Sequence, residues 1–200
     1  QDQTLAEAEQ AVRLGVDVII VRGRDAGGHS GTTRGTMAFV PAVVDIAGSI
    51  PVVAAGGIAD GRGLAAVLSL GGSGVSMGTR FTATRESLWD EAMKSLVTTS
   101  GGDQTAQTRV FDIVRGAPWP AQYPGRALKN DFYQRWHGNE EQLQAQRVDA
   151  EKGYLATKPD DFSARVVWAS ENIDLVRDIV LHGTDRTARC RGSVGSDARC

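Results

Sequence analysis

Cysteine is nearly absent: the 200 residues hold two, Cys190 and Cys200, both among the last eleven positions. A body without thiols excludes a disulfide framework and points to a cytoplasmic setting. Lysine is scarce as well, with Lys94, Lys129, Lys152 and Lys158 against eighteen arginines. Schiff-base chemistry therefore has few candidates, and none of the four is expected at a strand end. Excess charge of one sign is missing too, since 22 basic residues face 24 acidic ones for a net of −2. That balance offers no electrostatic footprint for nucleic acid or for an anionic membrane. Long apolar runs are lacking: the longest, from Ala38 to Ala47, contains Pro41 and Asp45 and falls far short of the roughly 20 residues that span a bilayer. The start, Gln1-Asp2-Gln3-Thr4, has no initiator Met, basic region or apolar region of a signal peptide, and reads as a start in mid-chain.

What is abundant is glycine, 24 residues, with 41% hydrophobic content, enough for one globular domain with a sizeable core. The length is short for a complete (β/α)₈ barrel, which takes about 250 residues.

The chain alternates helix and strand. Thr4-Leu5-Ala6-Glu7 fits a capping box ahead of a helix with Leu5, Ala8 and Val12 on one face, closed by Gly15. Val16 to Val21 is a β-branched run of the kind buried on both faces of a parallel sheet. A polar loop rich in glycine, Arg22 to Gly35, precedes a helix from about Phe39 to Ala47 with Pro41 in its first turn. Pro51 to Ala55 is a second strand, followed by Gly56-Gly57 and a helix carrying Leu64, Val67 and Leu68 that ends at Gly71. Gly74 to Met77 is a third strand, and Glu86 to Val97 the next helix. Three strand–helix units in succession predict a parallel sheet with right-handed crossovers over residues 1–99. Residues 100–181 read as an appended helical cap, with a short strand within Thr108 to Val114 and a final helix from Phe162 to Leu181. Residues 182–200 read as a disordered tail.

Three loops at strand carboxyl ends carry the candidate chemistry, because following helices turn their positive N-termini into that space. Asp25-Ala26-Gly27-Gly28-His29-Ser30-Gly31 sets a lone histidine among three glycines. The glycines let a planar ligand approach the backbone, and an imidazole with an unperturbed pKa of about 6.5 suits proton transfer. A loop histidine taken alone is ordinarily a surface residue. Ala55-Gly56-Gly57 and Gly78-Thr79 offer free backbone N–H groups to a phosphate, and barrels of this class build their phosphate site from two successive loops. A single such loop reads as a plain turn; the consecutive pair favours phosphate. His137 reads as a helix-end residue, and His182 lacks partners at metal-ligand spacing. The acidic pairs Glu140-Glu141 and Asp160-Asp161 read as solvated faces. Trp119, Tyr123, Phe132 and Trp136 either close over a ring-shaped ligand or pack the cap.

The run from Gly15 to Gly31 with its Ala-Gly-Gly-His-x-Gly core, Pro51 to Arg62, and Met-Gly-Thr-Arg-Phe at Met77 to Phe81 together resemble the nitronate monooxygenase family, formerly 2-nitropropane dioxygenase. Arg126-Ala127-Leu128-Lys129-Asn130 resembles a further family segment. The resemblance implies an α/β fold, the C-terminal part of an FMN-binding (β/α)₈ TIM barrel with an appended helical segment. It implies oxidation of alkyl nitronates by oxygen to a carbonyl compound and nitrite. It further implies that His29 is the catalytic histidine, that Gly28 lies along the flavin, and that Ala55, Gly56, Gly57, Gly78 and Thr79 border the FMN phosphate. No metal is implied.

Measured against that family, the N-terminal barrel strands are missing and three of eight remain. The expectation is a C-terminal piece that does not hold FMN tightly alone and whose Val16 to Val21 edge seeks another chain. Two other readings stand beside it: an FMN-dependent enoyl-acyl-carrier-protein reductase, which shares the Gly-Gly-His-x-Gly and Gly-Thr-Arg-Phe patterns, and a non-catalytic phosphate- or flavin-binding remnant.

Overall fold

The computed structural model describes residues 1–158 and 160–181. The expectations for His182, Cys190, Cys200 and the tail lie outside the described residues. Helix α1 (Leu5–Leu14) begins where Thr4 Oγ1 accepts from the Glu7 amide and Glu7 Oε2 accepts from the Thr4 amide, and it ends at Gly15 in the left-handed region. Strand β1 (Ile19–Arg22), a two-residue strand β2 (Gly28–His29), helix α2 (Thr36–Ala47), β3 (Val52–Ala55), α3 (Gly61–Ser69) and β4 (Gly74–Ser76) follow. β1, β3 and β4 form a parallel sheet in that order, with Ile19 opposite Val52 and Ala55 opposite Ser76. Successive strand–helix units thus lie side by side, as in a segment of a closed barrel.

Burial decides this packing. Ile19, Val21, Phe39, Val40 and Val43 are each at most 1% exposed, and each contributes about 1.5–3 kcal/mol, against about 1 kcal/mol for a helix cap. Of the expected strand from Val16 to Val21 only the part from Ile19 onward forms, as β1. Its burial alternates: Ile19 and Val21 enter the core, Ile20 is half-buried and Val18 is exposed, so one face and not both carries the packing of β1. On its outer edge Asp2 adds one bridge, donating to Ile20 O and accepting from the Arg22 amide.

Helix α2 starts three residues before Phe39, so Pro41 falls in its second turn. Its first amide, that of Thr36, donates to the Asp25 carboxylate of the preceding loop. The short helix α4 (Thr79–Thr82) leads to turns, and α5 (Glu91–Thr99) starts five residues later than the expected Glu86, capped by Asp90.

The second half differs from an all-helical cap. β5 (Thr105–Thr108) and β6 (Gly125–Leu128) pair antiparallel, and β6 also pairs with β2, so Gly28 and His29 belong to this second sheet. The expected strand across Thr108 to Val114 ends at Thr108, and Val110–Arg115 is helix α6. Helices α7 (Asp131–Trp136), α8 (Glu140–Ala145) and α9 (Arg147–Ala156) pack around it, burying Val110, Phe111, Val114, Phe132, Trp136 and Leu143.

The expected helix from Phe162 to Leu181 is instead irregular, with one 3₁₀ stretch at Glu171–Leu175. Its backbone is engaged elsewhere: Leu128 N donates to Val167 O, and Ala169 N donates to Arg126 O. Backbone groups committed to β6 cannot close helical turns. No described helix is long and apolar enough to cross a membrane.

Candidate active site

Two constellations meet at the carboxyl end of the parallel sheet. The first is a cleft of about 250 Å³ lined by Arg22, Ala55, Gly56, Gly57, Gly78, Thr79, Trp168 and Ser170, among others. Gly56 and Gly57 leave β3 with φ of +109° and +65°, conformations that a side chain would strain, and a Cβ on Gly57 would lie 2.7 Å from Asp25 Oδ2. Gly78 differs: its φ is −98°, and a Cβ there would meet nothing within 4 Å. Its missing side chain therefore keeps the cleft open rather than relieving strain.

The loops hold each other in register. Gly23 N donates to Ala55 O at 3.0 Å, Thr36 Oγ1 donates to Ala55 O at 3.4 Å, and Ser170 N donates to Thr79 Oγ1 at 3.1 Å. Arg22, at the end of β1, donates through Nη2 to Gly27 O, while its Nε is buried without a partner among the described residues. Burial pushes this guanidinium below its ordinary value. A buried donor left over beside an open cleft is what an anionic or acceptor-rich ligand satisfies. Arg22 escapes sequence reasoning because it ends an otherwise apolar run; the one signal is a charge at the last position of a buried strand.

The second constellation surrounds His29. Its Nε2 lies 2.9 Å from Asp112 Oδ2, and Asp112 Oδ1 accepts from Arg115 Nη2 at 3.1 Å. Asp112 is 5% exposed, so both bonds form in a poorly solvated setting where each bond to a charged group contributes about 1.5–3 kcal/mol. Trp119 stacks on the imidazole at 4.0 Å and 10°, and Trp168 stands 5.0 Å away, tilted by 54°. The Arg115 guanidinium covers the Trp168 ring at 5.4 Å.

Trp168 joins the two constellations, since it lines the cleft and flanks His29. Of the residues singled out in the sequence, Ala55, Gly56, Gly57, Gly78 and Thr79 come together on the cleft wall; Gly28 and His29 sit beside it on β2 and are not part of its lining. Phe132 and Trp136 pack in the core of the second half, whereas Trp119 and Tyr123 are near His29 and Gly31. His137 approaches Glu140 and Thr108 at a helix end. Among the described residues, no group of three His, Cys, Asp or Glu is placed to hold a metal ion.

Gly125 ties these parts together. Its built Cβ would fall 2.3 Å from Trp168 Cζ3, so Gly125→Ala must displace the indole wall, at a cost of about 1–3 kcal/mol. Thermal unfolding checks this: the variant is expected to melt several degrees lower, whereas Gly153→Ala, on a helix surface with nothing within 4 Å, is expected to match or exceed the parent.

Comparisons with known proteins agree with this architecture. The family model for nitronate monooxygenase matches residues 3–183. A nitronate monooxygenase of Neurospora crassa is 34% identical over 189 residues, which cover 88% of this chain and 48% of that protein. FabK from Thermotoga maritima superposes with a TM-score of 0.70 at 29% identity, over 88% of this chain and 54% of that one. A nitroalkane oxidase from Streptomyces ansochromogenes gives 0.65 at 29% identity, over 90% and 52%. The chain spans about half the length of these relatives. With a family match across residues 3–183 and the α/β fold of its structural neighbours, the chain belongs to the nitronate monooxygenase family.

Proposed function

We propose that this chain supplies the phosphate grip and the substrate-side histidine of an FMN-dependent enzyme that oxidises alkyl nitronates with oxygen to a carbonyl compound and nitrite. The observation that carries the reading is the cleft at the ends of adjacent parallel strands β3 and β4, where Gly56, Gly57, Gly78 and Thr79 face an open space beside the unpartnered Nε of Arg22. Backbone amides of two successive strand-end loops suit a phosphate dianion, and the Arg22 donor suits a further acceptor of the same ligand. The cleft suits the phosphate end of FMN, at the strand ends where (β/α)₈ barrels bind phosphate. Bound there, the flavin supplies the electron acceptor that oxygen restores. The chain's own part is to orient the cofactor through the two loops, to exclude water with Trp168 and Trp119, and to hold a proton at His29 beside the substrate. Gly28, in the same strand, keeps side-chain bulk away from the ring. With two cysteines in 200 residues, a cytoplasmic location is proposed.

A second reading, an FMN-dependent enoyl-acyl-carrier-protein reductase, draws on the superposition on FabK at a TM-score of 0.70. Two assays on the purified protein supplied with FMN separate them. Nitrite release from a nitronate under oxygen, without NADH consumption, is the expected result; NADH consumption with an enoyl thioester and no nitrite would replace the first reading by the second.

A further inference from the structure

His29 has two ring nitrogens, and only one of them is free. Nε2 faces Asp112 Oδ2 at 2.9 Å, and the other oxygen of that carboxylate already accepts from Arg115 Nη2 at 3.1 Å. A carboxylate only accepts, so the nitrogen that faces it carries the proton. A neutral imidazole has one N–H, which leaves the lone pair on Nδ1, and Nδ1 has no hydrogen-bond partner among the described residues. The ring cannot exchange its nitrogens by turning over freely, because Trp119 lies flat against one face at 4.0 Å and Trp168 closes in at 5.0 Å.

We propose that Asp112 is the positioning residue of this site: it fixes His29 in the Nε2–H tautomer, so that Nδ1 is the nitrogen that exchanges a proton with the substrate. Asp112 is buried at 5% exposure behind the imidazole and does not line the cleft, so it acts through His29. Its charge also stabilises the imidazolium formed when Nδ1 takes a proton, as a buried carboxylate does for a catalytic histidine elsewhere. Arg115 holds Asp112 from the other side and reaches Trp168, so α6 presents acid and base-support as one rigid unit. The proposal rests on the reading of His29 as the proton-handling residue, and one arm of its test is independent of that reading.

The first arm is nitrogen NMR on the full chain labelled with [¹⁵N]histidine, with the His29 signals among the three histidines assigned by their loss in His29→Gln. At a pH about two units above the ordinary imidazole value of about 6.5, His29 is expected to show a protonated Nε2 and a bare Nδ1. In Asp112→Asn, whose amide can turn its NH₂ toward the ring, the bare and protonated nitrogens are expected to exchange or mix. The second arm is kinetic: Asp112→Asn is expected to lower kcat for a nitronate by about 10²–10⁴-fold with KM little changed. A wild-type His29 protonated on Nδ1 overturns the proposal, as does an Asp112→Asn variant with the parent's tautomer or with kcat within twofold of it. If the parent releases no nitrite, the functional reading fails, and the wild-type tautomer still decides the pairing. If Asp112→Asn does not fold, that same spectrum decides alone.

Discussion

Replacing His29 by alanine is expected to lower nitronate turnover by about 10²–10⁴-fold, the usual contribution of a positioned acid–base group, while FMN affinity stays within about twofold, a difference of less than 1 kcal/mol. The separation follows from position. His29 lies on β2 beside Trp168 and is not part of the cleft lining, whereas Gly56, Gly57, Gly78 and Thr79 are. Loss of the ring empties the space between Trp119 and Trp168 and leaves Asp112 with Arg115 alone. Some stability therefore goes with the chemistry, so His29→Gln serves as the companion variant: its amide N–H reaches Asp112 without offering a base. Both variants are expected to lose turnover and keep flavin, measured by nitrite release and by flavin fluorescence titration. Equal loss of both in His29→Gln would place the histidine in the cofactor grip instead.

The second large effect concerns Gly78. A Cβ at this position meets no atom within 4 Å, and φ of −98° suits any residue, so Gly78→Asp folds without strain. Its carboxylate would enter the cleft that the phosphate is proposed to occupy. Like charges about 4 Å apart at an effective dielectric of about 20 repel by about 4 kcal/mol. FMN affinity is expected to fall by about 10³-fold, with the melting temperature unchanged in the absence of cofactor. Gly78→Ser, neutral and small, is expected to retain most of the affinity. The pair of variants separates charge from bulk.

Much of this was legible in the residues. The β-branched runs mark β1 and β3, whose Ile19, Val21, Val52 and Ala54 enter the core, and the glycines that follow β3 and β4 mark the strand ends where the cleft forms. The capping box at Thr4 and Glu7 is a local pattern whose partners are three residues apart, so it needs no tertiary information. Asp112 was not legible. Val110, Phe111, Val114 and their neighbours look like a strand because α6 is buried almost all round, and a helix without a solvated face shows no 3.6-residue period. Its acid meets His29 across 83 residues of sequence. The segment after Phe162 misleads for the opposite reason. Val166, Ile173, Val176 and Val180 fall at helical spacing, yet the backbone around Val167 and Ala169 is bonded to β6, and this extended path carries Trp168 to the cleft wall. Arg22 is in view in the sequence, but its unpartnered Nε depends on what surrounds it.

The central claim is that the ends of β3 and β4 grip a flavin by its phosphate, and a paired titration of the purified 200-residue chain with FMN and with riboflavin tests it most directly. The two ligands share the ring and differ by the phosphate. The account predicts that FMN binds at least about tenfold more tightly than riboflavin, a difference of about 1.4 kcal/mol, and that Gly78→Asp removes the difference. Equal affinities for the two ligands, or an FMN preference that survives Gly78→Asp, would contradict it.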